Sequence, residues 1–336
     1  MVRVGVVGAS GYTGAELLRL IAGHPDFELV YATGDSSAGV RAADLYPSLA
    51  AAYPDLVFES YEPSAVDGLD LVFLGLPHGA SQAIVPDLRK RVGKIVDLAA
   101  DFRLRDASLY PEWYGEEHTA PALLAEFVFG IPELYRSQLE GADLVAAAGC
   151  YVTTAALALA PLVKAGAIET TGIVVDAASG VSGAGRGLKA NTQFCAADED
   201  FTAYGLLTHR HTPEIEQAIG AQVLFTPHLA PMNRGILATC YARPTAGGSD
   251  PMSVLRDAYV NEPFIVVTEG SPSTKATLGS NTCHITARVD QRTEWVVVLS
   301  ALDNLVKGAS GQAVQCANLV LGLDEGTGLS TVGLYP

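Results

Sequence analysis

Short and almost uninterrupted apolar runs recur through the first half of the chain. The first run, at residues 2–7, is followed by a glycine-rich stretch and by an apolar patch at residues 17–21 that ends at Gly23. This order predicts a strand, a tight turn and a helix. Further strands are predicted at residues 28–33, 70–76, 94–99 and 143–149. Buried strands that alternate with helices are typical of a parallel sheet covered on both faces.

The pattern changes from about residue 172. Longer strand candidates follow one another with few helices between them, at residues 172–179, 222–229, 236–243, 264–268, 283–290 and 295–301. This spacing predicts a second domain of α+β type with a mixed, largely antiparallel sheet. Apolar residues spaced by three or four positions between residues 305 and 320 predict a last helix. We therefore predict an α/β chain with two domains.

Composition and charge exclude several classes of protein. The chain has 336 residues, of which 49% are hydrophobic, and a formal net charge of −16 without basic clusters. This charge argues against nucleic acid and anionic membranes as partners. The first residues lack the pattern of a signal peptide, and no apolar run reaches the ~18 residues of a membrane span. Five widely spaced cysteines, in no CxxC pair, indicate free thiols of a cytoplasmic protein rather than disulfides or metal ligands.

A glycine-rich turn joins the first predicted strand to the first predicted helix. It reads GASGYTG and places Gly8, Gly11 and Gly14 between the two elements. Small residues allow the backbone to approach a pyrophosphate, whose charge then meets the amides of a helix N-terminus. The spacing is GxxGxxG rather than GxGxxG, so a plain tight turn is the alternative. The strand and helix around it favour a dinucleotide site.

The end of the second strand bears on the choice of dinucleotide. An acidic residue there, about 20 residues after the glycine turn, usually holds a ribose with a free 2′-hydroxyl. Here the segment reads ATGDSSAG, with Asp35 slightly late and with Ser36 and Ser37 able to donate to a 2′-phosphate. The segment leaves NAD and NADP both open.

Cys150 lies in the segment AAAGCYVTT, after a strand and before an Ala/Leu-rich helix. The positive end of a helix dipole stabilises a thiolate at that position. A free cysteine beside alanine and valine is also a common small core residue. The location at the end of a parallel strand, where open α/β sheets bind ligands, favours a nucleophile.

Two histidines precede another predicted helix start. His209 and His211 share one face if the chain is extended, and either could act as acid and base for a thiolate reaction. The alternative is a pair of exposed polar residues before a helix. A zinc site is not expected, because a third ligand at recognisable spacing is lacking.

Two further segments carry cations. The loop SGVSGAGRGLK contains Ser182 and Arg186, and the segment ADFRL carries Arg103 beyond a strand. Loop amides and arginines together suit a phosphate or a carboxylate. Each arginine could also be an ordinary solvated charge.

Eight segments in this order give the chain a family resemblance: GASGYTG, LPHG, LAADFRL, AAGCYVTT, SGVSGAGR, HRHTPEI, PMNRGIL and KGASGQAVQCANLVLGL. The chain resembles the type 1 N-acetyl-gamma-glutamyl-phosphate reductase family, in the aspartate-semialdehyde dehydrogenase-like superfamily, over essentially its whole length. The resemblance implies a Rossmann-type NADP-binding domain at residues 1–149 and 303–336. It also implies a catalytic and oligomerisation domain at residues 150–302, and a homodimer or homotetramer.

The resemblance also implies roles for individual residues. Cys150 would be the nucleophile, and His211 the acid and base with His209 assisting. Arg103 matches an arginine that holds the substrate phosphate in related acyl-phosphate reductases. The cofactor would contact the glycine turn and the second-strand end, namely Gly8, Ser10, Gly11, Tyr12, Thr13, Gly14, Gly34, Asp35 and Ser36, together with Asn318 in the last helix.

The implied reaction is the NADPH-dependent reduction of N-acetyl-gamma-glutamyl phosphate to the semialdehyde, with release of phosphate. Val152 stands where the family commonly has proline, a residue that suits a first helical turn but does no chemistry. Asp35 stands where a basic residue could help to bind a 2′-phosphate.

Three other functions fit parts of the same pattern. They are an aspartate-semialdehyde dehydrogenase, a reductase of carrier-linked aminoadipate semialdehyde, and a nucleotide-binding sensor whose cysteine only packs. Enzymes acting on the acidic carrier have asparagine after the cysteine. Tyr151 and the net charge of −16 therefore favour a small free substrate.

Overall fold

Two β-sheets organise the chain, which the computed structural model describes from residue 1 to residue 336. The chain divides into two compact units. The first comprises Met1–Ala148 and Ala309–Leu329, and the second comprises Gly149–Gly308 and Ser330–Pro336. This α/β architecture, with one parallel and one mixed sheet, confirms the fold class predicted from the apolar pattern.

The sheet of the first unit has six parallel strands in the order β2-β1-β3-β4-β6-β5. Its strands are β1 (Val2–Val7), β2 (Phe27–Ala32), β3 (Leu71–Leu74), β4 (Lys94–Asp97), β5 (Val128–Gly130) and β6 (Leu144–Ala147). The chain runs outward from β1 in one direction and then returns to build the other side from β3. In open α/β sheets this reversal opens a crevice at the carboxyl ends of the two central strands, where ligands bind.

Helices accompany this sheet. They are α1 (Tyr12–Ala22), α2 (Ala42–Leu45), α3 (Ala80–Leu88), α4 (Tyr110–Tyr114), α5 (Pro132–Leu139) and, from the end of the chain, α11 (Gly311–Val320). Helix α1 forms because its leucines and isoleucine recur on one face, and that face is buried in the core. Gly23 follows its last residue, as the sequence predicts.

The sheet of the second unit has seven strands in the order β11-β12-β13-β10-β7-β9-β8. Its strands are β7 (Ile173–Gly180), β8 (Thr202–Ala203), β9 (Val223–Ala230), β10 (Ile236–Ala242), β11 (Ile265–Val267), β12 (Cys283–Asp290) and β13 (Trp295–Leu302). Four neighbouring pairs are antiparallel and two, β7 with β9 and β11 with β12, are parallel. Burial alternates along β7 and β10, as expected when helices cover only one face.

Helix α6 (Cys150–Lys164) is the central helix of this unit. Every residue from Tyr151 to Leu162 is buried, which explains why the segment is apolar all round rather than on one stripe. It packs on β10 and β13. The other helices are α7 (Phe194–Ala197), α8 (His211–Ile219), α9 (Pro251–Tyr259) and α10 (Thr274–Thr277). No helix of the structure is both long and apolar enough to span a membrane.

Two strands and one helix differ from the sequence-based prediction. Strands β5 and β8 have three and two residues, too few to produce a recognisable alternation. The predicted last helix is interrupted, because Val306–Ser310 forms a turn of π-helix before α11 begins at Gly311. Such turns are rare and occur frequently at functional sites.

Asn318, on α11, ties the end of the chain to the first unit. Its side-chain oxygen lies 3.0 Å from His24 Nε2, and its amide nitrogen donates to the carbonyl oxygens of Glu325 (3.2 Å) and Thr327 (2.9 Å). The side chain is fully buried. Its hydrogen bonds therefore stabilise the segment that follows α11.

We expect Asn318→Ala to lower the free energy of unfolding by about 2 kcal/mol, because it leaves buried polar groups without partners. Urea denaturation of the purified protein measures this change. Asn191→Ala, at an exposed position, is the matched control and should change stability by less than about 0.5 kcal/mol. Equal midpoints for the two variants would contradict a structural role for Asn318.

Candidate active site

The glycine turn after β1 has the shape that a dinucleotide requires. Gly8 has φ +92°, and a Cβ there would lie 2.5 Å from the carbonyl oxygen of Gly75, which follows β3. A Cβ at Gly14 would lie 2.5 Å from the backbone of Ala9, so α1 packs close to the turn. Gly11 caps α1, and a Cβ there would meet only one atom within 4 Å, at 3.8 Å. Side chains at Gly8 and Gly14 would overlap the surrounding backbone, whereas Gly11 leaves the space before α1 open; we call these three residues the glycine cradle.

The end of β2 lies beside this cradle. The Ser10 hydroxyl donates to the carbonyl oxygen of Gly34 at 2.9 Å, and the Gly8 amide donates to Thr33 Oγ1 at 3.0 Å. Asp35 and Ser36 are exposed in a single turn of 3-10 helix, and Asp35 has φ +44°. The structure therefore brings residues 34–36 next to the glycine turn, and their contact with a ribose stays a prediction.

The other residues predicted to contact the cofactor differ in exposure. Tyr12 is exposed and Thr13 is half-buried, with its carbonyl oxygen accepting from Ser310 Oγ at 2.8 Å. The polar atoms of Asn318 are engaged with His24 and the chain end, as described above. The contact of Asn318 with the cofactor stays a prediction.

Arg103 lies just beyond β4, close in sequence to two buried acids, Asp97 and Asp101. It is 9% exposed, and its Nη2 donates to the carbonyl oxygen of Leu98 at 2.7 Å. Burial alone would raise the pKa of Asp101, but hydrogen bonds from His78, the Gly79 and Gln82 amides and Ser81 hold it at about 2. Asp101 thereby fixes the start of α3 as an anion. Burial raises the pKa of neighbouring Asp97 to about 7.

In the second unit, Cys150 is the first residue of α6, and Gly149 is its N-cap. The cysteine is half-buried, and its backbone oxygen accepts from Thr154 Oγ1 at 2.8 Å. A Cβ at Gly308 would lie 2.8 Å from Cys150 Cβ, so the π-helical turn packs directly against the cysteine. The thiol therefore lies at the positive end of a helix whose side chains are buried from Tyr151 to Leu162.

His211 lies against the same N-cap. It is the first residue of α8, and a Cβ at Gly149 would overlap its imidazole ring, with Nε2 as the nearest atom. Only glycine at position 149 allows this approach. The structure thus brings the predicted nucleophile and one predicted histidine to the two sides of a single glycine peptide.

His209 supports His211 through the backbone. Its Nδ1 accepts a hydrogen bond from the His211 amide at 3.1 Å, and the two rings lie 4.7 Å apart edge to face. Rings of Tyr151, Tyr204 and Phe225 surround it. Burial and the charge of Arg210 lower the pKa of His209 to about 4, so it is neutral at physiological pH. Its predicted part in proton transfer stays a prediction.

Glu214 is a member of the site that sequence reasoning missed. It is fully buried in the first turn of α8, and its Oε2 accepts from the Gly149 amide at 3.4 Å. The signal was present, because residues three apart on a helix share a face and Glu214 follows His211 by three. Helix α8 therefore brings both an imidazole and a carboxylate to the Gly149 peptide.

The loop after β7 contains Ser182 and Arg186. Ser182 Oγ accepts from Asn304 Nδ2 at 3.0 Å, and Arg186 is half-buried. The structure contains no group of three or more His, Cys, Asp or Glu side chains arranged to hold a metal ion.

Comparisons with known proteins agree with both units. The family model described as semialdehyde dehydrogenase, NAD binding domain, matches residues 3–142, and the one described as semialdehyde dehydrogenase, dimerisation domain, matches residues 150–304. An N-acetyl-gamma-glutamyl-phosphate reductase of Symbiobacterium thermophilum is 50% identical over 347 aligned positions, which cover 100% of this chain and 99% of the relative.

Solved structures show the same fold at low identity. Aspartate semialdehyde dehydrogenase II of Vibrio cholerae, complexed with ASA, superposes with a TM-score of 0.72 and 16% identity over 96% of this chain and 98% of that one. Aspartate semialdehyde dehydrogenase of Candida albicans, with NADP, superposes with a TM-score of 0.68 and 15% identity over 96% and 99%. The identity over the full length decides the family: this chain belongs to the N-acetyl-gamma-glutamyl-phosphate reductases of the semialdehyde dehydrogenase superfamily.

Proposed function

We propose that this protein reduces N-acetyl-gamma-glutamyl phosphate to N-acetyl-L-glutamate 5-semialdehyde with NADPH and releases phosphate, a step of arginine biosynthesis in the cytoplasm. One observation carries the proposal: a half-buried thiol at the start of α6 shares the Gly149 peptide with a histidine at the start of α8. A thiolate stabilised by a helix N-terminus and a nearby acid and base are what acyl transfer to sulfur requires. The sequence identity of 50% to two relatives named N-acetyl-gamma-glutamyl-phosphate reductase supports the choice of substrate.

The first half of the reaction is acyl transfer. The Cys150 thiolate attacks the acyl carbon, the bond from carbon to the phosphate oxygen breaks, and inorganic phosphate leaves with the electron pair. The product is a thioester on Cys150. Arg103, Ser182 and Arg186 are the groups that we assign to the anionic substrate, because guanidinium and hydroxyl groups match phosphate and carboxylate oxygens.

The second half returns the thiolate. NADPH, when bound, supplies the hydride that reduces the thioester carbonyl, and the cradle of Gly8, Gly11 and Gly14 is the part of this chain that fits its pyrophosphate. His211 delivers a proton to the carbonyl oxygen as negative charge develops there and takes it back when the thiohemiacetal collapses. The aldehyde leaves, and Cys150 is again a thiolate. His209 is a positioning residue, because it contacts the His211 amide and stays neutral.

We assign cofactor binding to residues 1–149 and 303–336, and catalysis with oligomerisation to residues 150–302. Asp35 is exposed beside the cradle, where its charge opposes a 2′-phosphate while the Ser36 hydroxyl can donate to one. The preference for NADP over NAD therefore depends on whether the Asp35 carboxylate or the Ser36 hydroxyl faces the ribose. The match to a dimerisation domain supports a homodimer or a homotetramer built on the second unit.

Aspartate-semialdehyde dehydrogenase is the second candidate function, because proteins of that name share the fold. An oxidative assay separates the two. We expect NADP reduction with N-acetylglutamate semialdehyde plus phosphate, and at least about 100-fold lower kcat/KM with aspartate semialdehyde, because a site built around one acyl chain discriminates against another. Absorbance at 340 nm, with NAD measured in parallel, records both rates.

Two cysteine variants are controls for this assay. Cys150→Ala should abolish NADP reduction and retain NADPH binding, whereas Cys195→Ala, at an exposed cysteine, should retain full activity. A wild-type protein that oxidises only aspartate semialdehyde, or a Cys150→Ala variant with full activity, would overturn the proposal.

The two histidines should differ in the pH dependence of catalysis. We expect His211→Gln to lower kcat/KM by about 10²–10⁴-fold, the usual cost of losing a general acid and base. We expect His209→Gln to lower it by about 10-fold without moving the apparent pKa values between pH 5.5 and 9, because His209 is already neutral there. Profiles of kcat/KM against pH for the three proteins measure both effects.

Stability gives an independent measure of His209. Its folded pKa of about 4 lies below its ordinary value of 6.5, so the unfolded chain binds the proton more readily. Wild-type stability should therefore fall as the pH drops from 6.5 towards 4, and His209→Gln should lose less over that window. The pH profiles of kcat/KM provide the contrary outcome. If His209→Gln loses the acidic limb of that profile, His209 is the group that titrates.

A further inference from the structure

The segment PMNRG, at residues 231–235, is part of the family resemblance but has no role in the reaction as proposed. It connects β9 to β10 and is paired with the loop that follows β7. The amides of Gly180, Val181 and Ser182 donate to the carbonyl oxygens of Gly235 (2.9 Å), Met232 (2.9 Å) and Asn233 (3.2 Å). The two loops therefore form one hydrogen-bonded ridge at the carboxyl ends of β7 and β9.

Two polar residues after β13 hold this ridge. Asn304 accepts from the Gly235 amide at 2.7 Å and donates to Ser182 Oγ at 3.0 Å, so it joins both loops. Asp303 is fully buried, and its Oδ2 lies 3.6 Å from Arg234 Nη1. A carboxylate that solvent does not reach thus lies within ion-pair distance of the Arg234 guanidinium.

The same residues lead to Cys150. The Asp303 carboxylate accepts from the amides that begin the π-helical turn, and the Gly308 amide donates to the Asp303 carbonyl oxygen at 2.9 Å. Gly308 is the residue that packs against Cys150 Cβ. From the other side of the cysteine, the Tyr151 hydroxyl donates to the carbonyl oxygen of His228, near the end of β9, at 2.9 Å. Arg234 is therefore connected to Cys150 through Asp303 and Gly308, which we call the Asp303 and Gly308 framework.

Arg234 differs in exposure from the carboxylates near Cys150. The carboxylates that the structure fixes near the Cys150 backbone, Asp303 and Glu214, are both fully buried. Arg234 retains 29% of its side-chain exposure. A guanidinium has five N–H donors in a planar fork, so contact with Asp303 is compatible with binding a second carboxylate from the open side.

We propose that Arg234 binds the α-carboxylate of the acyl chain and so determines substrate specificity. The inference rests on the proposed function. The acyl chain stays attached to Cys150 through both halves of the reaction, so the cation that recognises its carboxylate must be fixed relative to Cys150. Arg234 meets this condition because it shares the Asp303 and Gly308 framework with the cysteine.

The test compares N-acetylglutamate semialdehyde with 4-acetamidobutanal, which is the same chain without the α-carboxylate. Both are assayed with NADP and phosphate. We expect Arg234→Met to lower kcat/KM for the carboxylated aldehyde by about 10- to 100-fold, the range for a lost hydrogen bond to a charged group. The variant should change kcat/KM for 4-acetamidobutanal by less than about 3-fold and leave the KM for phosphate unchanged.

Two further variants make the result specific. Arg234→Lys keeps a charge without the planar fork, so it should recover part of the discrimination. Arg292→Met, at an arginine whose side chain is 84% exposed, should leave the ratio of the two kcat/KM values as in the wild type. Equal losses for both aldehydes in Arg234→Met would show a purely structural arginine and overturn the inference.

The outcomes also separate the carboxylate from the phosphate. A raised KM for phosphate with unchanged discrimination between the aldehydes would overturn the inference by making Arg234 a phosphate ligand. A wild-type protein that turns over neither aldehyde would overturn the proposed function, and the inference with it. A wild-type protein that turns over both aldehydes with equal kcat/KM would overturn the inference and leave the proposed function standing.

Discussion

The contact between the His211 imidazole and the Cα of Gly149 is the constraint on which the second unit depends. Any side chain at position 149 would occupy the space of the imidazole. The contact requires α6 and α8 to begin at the same place, with Cys150 first in one helix and His211 first in the other. Glu214 then accepts from the Gly149 amide because it lies one turn into α8. Nucleophile, imidazole and carboxylate are thus positioned by a single peptide.

The buried surroundings of this peptide determine which groups can exchange protons. His209 is enclosed by aromatic rings, so burial keeps it neutral and leaves it to hold the His211 amide. Burial also raises the pKa of Tyr151, whose hydroxyl donates to His228 and anchors the first turn of α6 to β9. On the far side of Cys150, the turn at Val306–Ser310 is held by the Asp303 carboxylate. The cysteine is therefore fixed by polar contacts made around it.

The apolar pattern predicted most of the architecture, because strands buried on both faces give continuous apolar runs and α1 gives a helical spacing. The fold class and the NAD-binding domain type are confirmed. Strands β5 and β8 escaped prediction because they are too short to show a pattern, and the π-helical turn escaped because its apolar residues continue the spacing of α11. The roles of Cys150, His209 and His211 stay predictions, which the geometry around Gly149 supports. Asp303 and Arg234 could not be assigned from sequence, because they pair with each other from distant parts of the chain. Glu214 was missed although its spacing from His211 places both on one helix face.

In the proposed reaction Cys150 carries the acyl group as a thioester, and this intermediate can be trapped. Purified protein is mixed with N-acetyl-gamma-glutamyl phosphate in the absence of NADPH, quenched in acid and analysed by peptide mass spectrometry. We expect one acyl group on the peptide that contains Cys150, released by hydroxylamine. Phosphate-releasing, NADPH-dependent turnover without any acyl group on that peptide, or with the acyl group on another residue, would contradict it.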